Sequence, residues 1–319
     1  MSKRVLLLVG AIGAGTLAAQ AQLGTQPDWS AEVASIKAQP LVVVLTEEDP
    51  KELRQLANRP TELAQYKTYV AQYNAQLQQL APRLWQFSPA VVFKSEADYQ
   101  ELRQAKGTKT AVLHQTRQRL GRQLNGLEAD LVAWMELELV GNGDHENVWH
   151  GPSSPTVLYT SDIVFTFKNM QRDLHQKARD AGKTVSNRTG VARLMLQDVQ
   201  HAQQLKTKTL LLNRAEVPDQ LTVAEIARDY PFPVQVVPLP AIEAAVLAGD
   251  ARYAYVRWLT VTAGLVGPSI IDEADGHRLT TVLSTKTELA KADLKDFTRY
   301  IALMDRYAQR LPELEDLAK

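Results

Sequence analysis

The chain has 319 residues, of which 45% are apolar and 23% charged; 36 lysines and arginines face 36 aspartates and glutamates, and there is no cysteine. A balance this even gives no electrostatic footing for nucleic acid or for an anionic membrane. The missing cysteines exclude a disulfide framework, a thiolate nucleophile and thiol redox chemistry.

Met1-Ser2-Lys3-Arg4 is basic, Val5 to Gly15 is apolar and rich in small residues, and Ala19-Gln20-Ala21 has the A-x-A pattern of a cleavage site. That order is the order of a secretory signal peptide. The apolar stretch is shorter than the about 20 residues that a membrane span needs. With residues 1–21 removed, Lys3 and Arg4 go and no acid goes, leaving 34 basic against 36 acidic residues. The expectation is an exported protein, periplasmic or extracellular, with no membrane span after signal cleavage.

Residues 22–38 are polar and read as a linker with a short lead-in. Leu41-Val42-Val43-Val44-Leu45 suits a strand covered on both faces. Leu63, Tyr66, Val70, Tyr73, Leu77 and Leu80 recur at helical spacing, with Thr61 as N-cap after Pro60 and Pro82 just past the end. Ala90 to Phe93 is a second strand, Ser95 to Leu102 a short helix, and Thr110 to Leu113 a third strand. Leu120, Leu124, Leu127 and Leu131 mark an extra helix. Met135, Leu137 and Leu139 alternate with Glu136 and Glu138 as in a half-exposed strand. A polar loop is expected from Gly141 to Pro155, a strand at Val157 to Tyr159, and a helix from Phe167 to Ala181 with Gly182 at C′.

Val191 to Leu205 reads as a connecting helix, after which the pattern restarts. Leu210 to Leu212 is a strand, Thr222-Val223-Ala224-Glu225 a capping box, Val234 to Val237 a strand, and Ala241 to Ala248 a helix closed by Gly249. Tyr253 to Val256 and Leu259 to Ala263 read as two strands. Ile270 to Leu279 is a hairpin signal with Asp275-Gly276 at its tip, and Leu289 to Leu311 is a terminal helix.

The halves repeat. Trp85 and Phe87 before Val91-Val92-Phe93 match Tyr230 and Phe232 before Val234 to Val237. Thr110 to Leu113 falls against Tyr253 to Val256, and Thr156 to Thr160 against Thr281 to Thr285. The fold class expected is therefore α/β: two tandem related units of order βαβαβ(β)βα, covering 39–183 and 207–319, joined by a helix over 184–206. The element order resembles thioredoxin-like folds. The Cys-x-x-Cys that makes that likeness specific is absent, so disulfide exchange does not carry over. Two α/β lobes also resemble periplasmic solute-binding proteins, although here the lobes are sequential.

Chemical motifs are sparse. Asp144-His145-Glu146-Asn147-Val148-Trp149-His150 holds two histidines five apart, one too many for H-E-x-x-H; an exposed polar loop is the main reading and a loop metal site the lesser one, with no further histidine at a spacing that completes it. No metal and no cofactor are assigned. Gly182-Lys183-Thr184 resembles the end of a P-loop, but Lys177 stands where the first glycine belongs and a helix precedes it, so that reading is rejected. Asn187-Arg188-Thr189 fits a glycosylation sequon, expected to be unused behind a bacterial export signal. No G-x-S-x-G elbow is present, and catalytic residues remain unknown. Open α/β sheets bind ligands beyond the carboxyl ends of their strands; this points to Glu47, Glu48 and Asp49 after the first strand and to Arg214 and Glu216 at the equivalent place in the second unit, against the plainer use of acids at a helix start. The function expected is non-catalytic binding of a small molecule, peptide or protein partner between the units. A hydrolase with acids assembled from distant segments, among them Glu47, Asp49, Asp144, His145 and Asp272, and a cell-envelope structural or assembly component are the alternatives.

Overall fold

The computed structural model describes residues 27–118, 132–152, 159–262, 265–281 and 289–318. They hold two five-stranded mixed sheets and ten α-helices. The chain divides into a first unit, Trp29–Arg179, and a second unit from Asp180 onward.

In the first unit, α1 (Ser30–Ala38), β1 (Leu41–Val44), α2 (Pro50–Leu56), α3 (Pro60–Leu84), β2 (Val91–Lys94), α4 (Glu96–Gln104), β3 (Thr110–Gln118), β4 (Val132–Gly141), β5 (Asp144–Pro152) and α5 (Thr160–Asp180) follow in turn. In the second, α6 (Asn187–Leu205) leads to β6 (Thr209–Asn213), a 3-10 turn Arg214–Glu216, α7 (Val223–Asp229), β7 (Val234–Val237), α8 (Leu239–Ala248), β8 (Tyr253–Thr262), β9 (Leu265–Asp272), β10 (Arg278–Thr281), α9 (Lys291–Ala308) and α10 (Leu311–Ala318).

The strand orders are β2-β1-β3-β4-β5 and β7-β6-β8-β9-β10, one topology used twice. The first three strands of each sheet run parallel and the last two antiparallel. Leu41 pairs with Val91 and Val42 with Val112; in the second unit Leu210 pairs with Val234 and Leu211 with Tyr255. Val112 and Tyr255 are therefore register equivalents, as the sequence matching places them. The aromatic pairs correspond too: Trp85 and Phe87 lie 5.9 Å apart, Tyr230 and Phe232 5.3 Å. The pairing does not confirm a thioredoxin-like order.

Each sheet buries both faces, which is why its central strands are continuous apolar runs. In the first unit, Leu41, Val43, Ala111, Leu113, Leu137 and Leu139 face helices α3 and α5 through Tyr73, Leu77, Phe167, Met170 and Leu174. The opposite face carries Val42, Val44, Val112 and Val140 under Tyr99 and Leu102 of α4. In the second unit, Leu210, Leu212, Ala254, Val256 and Ile270 pack with Phe297 and Ile301 of α9, and α6 packs on α9 and α10 through Val199, Ala202, Met304 and Leu314.

Local signals act as the sequence suggests at several points. Thr222 and Glu225 close their capping box, and Gly182 and Gly249 take left-handed φ of +70° and +63° at helix ends. Elsewhere packing decides. Pro82 lies inside α3, and Pro60 takes the first helical position, which leaves Thr61 in the first turn behind Arg59. Tyr253–Thr262 is one strand, not two, and the terminal helix is two helices. Glu138 is buried at 4% exposure, so the strand read as half-exposed is covered on both faces. The extra helix expected over Leu120 to Leu131 and the strand residues Val157 and Leu158 lie outside the described residues.

The largest correction is the polar loop expected from Gly141 to Pro155, since Asp144–Pro152 is a strand. Asn142 and Gly143 form the two-residue turn that joins it to β4, with φ of +60° and +76°. Positive φ at both central positions is the demand of a type I′ hairpin, which Asn-Gly meets best. Further along β5, Trp149 folds back over Gly151 so closely that a Cβ there would lie 2.2 Å from its ring. Trp149 is buried in the core at 7% exposure. Gly151→Ala is expected to cost roughly 1–3 kcal/mol through overpacking, read as a lowered urea midpoint. A change below a few tenths of a kcal/mol would show that the ring relocates freely.

Candidate metal centre on the first sheet

The residues singled out beyond β1 have local duties. Asp49 accepts from the Lys51 N–H at 2.7 Å and so caps α2, while its own N–H donates to the Tyr66 hydroxyl at 2.7 Å. Glu48 lies 3.6 Å from Lys67, and Glu47 accepts from the Glu96 N–H at 3.3 Å. All three acids are exposed. In the second unit Arg214 is exposed at the 3-10 turn. Glu216 is half-buried and meets Arg257 Nη1 at 3.1 Å and Asn213 Nδ2 at 3.1 Å.

The chemistry that the fold does assemble lies one strand over, in the middle of β3 and just past its pairing with β1. His114 follows Leu113, the last β3 residue paired to β1. Alternation puts it on the α4-covered face with Val112. Directly opposite on β4 is Glu136, and two residues on, opposite Val112, is Glu138. His114 Nε2 lies 3.2 Å from Glu138 Oε2 and 3.9 Å from Glu136 Oε2. One donor atom from each of the three residues lies within 4.8 Å of the other two. His114 and Glu138 are buried and Glu136 half-buried. The 3.2 Å contact is an ion-pair distance without hydrogen-bond geometry, and Nε2 of His114 has no hydrogen-bond partner.

Tyr99 of α4 supports the cluster. Its hydroxyl donates to Glu138 Oε2 at 2.9 Å, and its ring lies 4.8 Å from the His114 ring. Burial alone raises the Glu138 carboxyl, but His114, the Tyr99 hydroxyl and the nearby His145 outweigh it and hold the group below its ordinary value. Burial and the same carboxylate push the Tyr99 hydroxyl well up, so it stays a donor. Two carboxylates therefore share one imidazole inside a partly closed apolar surround, where unbalanced negative charge is costly.

The sequence motif on β5 splits once its register is known. Asp144 and Glu146 flank Lys109 at 3.1 and 3.6 Å, and His145 Nδ1 accepts from Arg103 Nη2 at 3.3 Å. His150 directly opposes Glu136. The histidine lacking in the sequence spacing is thus His114, brought alongside by the β3–β4 hairpin.

The second unit tests this position internally. Register equivalence sets Arg257 where His114 stands and Ser269 where Glu136 stands. Arg257 is buried at 2% and paired to Glu216. One unit thus carries a permanent cation at this place, while the other carries an imidazole and two acids. Elsewhere the described residues include a small void beside Tyr73, Met135 and Phe167 and a shallow trough along α3.

An α/β protein with a buried histidine–carboxylate cluster on its first sheet is the class that fold and site define. No protein-family model, no curated protein and no solved structure matches the chain.

Proposed function

We propose that this chain is an exported, non-catalytic binding protein and that its first unit holds a small cation on the α4-covered face of the sheet. The observation that carries the reading is the convergence of Glu136 and Glu138 on the single imidazole of His114, all within 4.8 Å. A cation between them offsets charge that burial otherwise penalises. The contrast with Arg257, a built-in cation at the equivalent position, supports the same reading. Export rests on the basic, apolar and A-x-A order of residues 1–21. No helix among the described residues is long and apolar enough to cross a membrane.

The test is native mass spectrometry of the protein from its exported fraction, supplied with divalent metal ions or organic amines. A mass beginning at Gln22 supports export, and an intact Met1 overturns it. A cation adduct on the wild type that disappears in Glu138→Gln supports the site. A bare wild-type chain across the whole panel overturns it.

A further inference from the structure

Resting on the cation reading, we propose that the cation is a divalent transition metal of the zinc type and that His150 of β5 is its fourth protein ligand. Three adjacent strands place one donor each in a single row, His114 on β3, Glu136 on β4 and His150 on β5. Residues directly opposite in antiparallel strands have Cβ atoms about 4.5–5.5 Å apart on one face; the donors of His114, Glu136 and Glu138 meet within 4.8 Å, and the His150 ring joins them by turning towards Glu136. Glu138 stands next along β4 and closes the set from the α4 side.

The donor types select the metal. Two imidazole nitrogens and two carboxylate oxygens suit zinc and its first-row neighbours, whereas calcium and magnesium take oxygen alone. Two carboxylates also neutralise a divalent charge. The Tyr99 hydroxyl on Glu138 Oε2 is the outer hydrogen bond that fixes a ligating carboxylate. His150 is on an exposed position, which gives the ion an entry route. Its strand is fixed on the other side by the buried Trp149. His145 is not assigned as a ligand: it lies at the Val140 level and its Nδ1 accepts from Arg103.

The second unit predicts the stoichiometry. Its corresponding row is Arg257, Ser269 and Thr281, which offers no imidazole and no carboxylate. One metal per chain follows.

The experiment uses the exported full chain, stripped with a chelator and titrated with zinc by calorimetry and with cobalt(II) by visible absorption. The expected result is one ion per chain with tetrahedral cobalt bands. His114→Ala and His150→Ala should each weaken zinc binding by at least the about 10–100-fold that loss of a ligand's outer partner costs, while His175→Ala, whose ring lies against Phe87, binds as the wild type does. Circular dichroism and a urea midpoint establish that each variant is folded, and His150→Gln repeats the test with a side chain suited to an exposed strand. Wild-type affinity in both folded His150 variants, with His114→Ala impaired, overturns the assignment of His150 and leaves the cation reading standing. Binding of an organic amine but no metal overturns the metal. No cation bound at all overturns this inference and the reading beneath it together.

Discussion

Arg257→Met is expected to destabilise the protein by roughly 3–5 kcal/mol, the cost of breaking a buried ion pair from one side. The guanidinium is buried, and its Nη1 meets Glu216 Oε1 at 3.1 Å. Glu216 is held in place from several directions. Asn213 Nδ2 donates to the same oxygen at 3.1 Å, and the Glu216 carbonyl accepts from the Leu289 N–H at 2.9 Å. Methionine fills much of the arginine volume, so the loss reports the stranded carboxylate more than a cavity. A second change, Glu216→Leu, should recover most of the stability, because an apolar pair of similar volume often replaces a buried ion pair without penalty. Urea denaturation of the two single variants and the double variant measures both effects. A loss under about 1 kcal/mol in Arg257→Met would show that the pair is well solvated and lies in the range of a surface bridge.

The stability of the second unit should fall as pH rises through the neutral range, because of two stacked histidines. His201 of α6 and His277 of the turn before β10 stack with ring centroids 4.2 Å apart and 16° between planes. His201 Nε2 lies 3.2 Å from Asp275 Oδ2, and its Nδ1 lies 2.8 Å from the Gln197 carbonyl oxygen. Both partners accept only, so both contacts are satisfied when His201 is an imidazolium. His277 Nε2 meets Asp198 Oδ1 at 2.7 Å. Asp272 pairs with Lys208 Nζ at 2.5 Å. From α9, Tyr300 faces Asp198, and burial together with that charge keeps its hydroxyl protonated.

Burial acts to lower the His201 pKa, but the Asp275 carboxylate, the Gln197 carbonyl and the charge of Asp272 raise it above its ordinary 6.5. A folded-state pKa above the unfolded one gives stability that is complete below about 6.5 and lost as pH rises through the folded value. Unfolding free energy measured by urea should therefore decline on the alkaline side of 6.5, and the decline should vanish in His201→Gln. Asp275→Asn should bring the His201 proton titration, followed by NMR, back towards the unfolded value. A wild-type midpoint at or below 6.5 contradicts the assignment. The surface acids act in a separate window with the opposite sign. Glu225 is held at about 2 by Lys291 and the Thr222 cap, and Asp250 at about 2 by Arg252, so what they add is lost only in acid.

How far the sequence reaches can be judged from single elements. Leu41 to Val44 reads as a covered strand because four consecutive apolar residues suit burial on both faces. Thr222-Val223-Ala224-Glu225 reads as a helix start because its two hydrogen bonds span only three residues. The β5 strand stays hidden for a physical reason. A register shift after Leu137 leaves Val148 as an extra residue between Asn147 and Trp149, so two consecutive positions are buried and the period of two is broken. The Asn142-Gly143 turn in front of it is the local signal that could have revealed the hairpin.

The candidate site divides along the same line. Of the residues singled out beyond the strand ends, Glu216 contacts the buried Arg257. The cluster on His114 is not legible. Glu136 and Glu138 share the strand period of β4, but no period links them to His114 or His150, and only cross-strand register brings the four to one face. By itself the sequence determined the absence of thiol chemistry, the α/β class and the repetition of one unit, since composition, local capping and short apolar runs depend on near neighbours. The tertiary structure alone decided which charges are buried and which donors meet, because burial and convergence are set by cross-strand pairing and by the helix that covers the sheet.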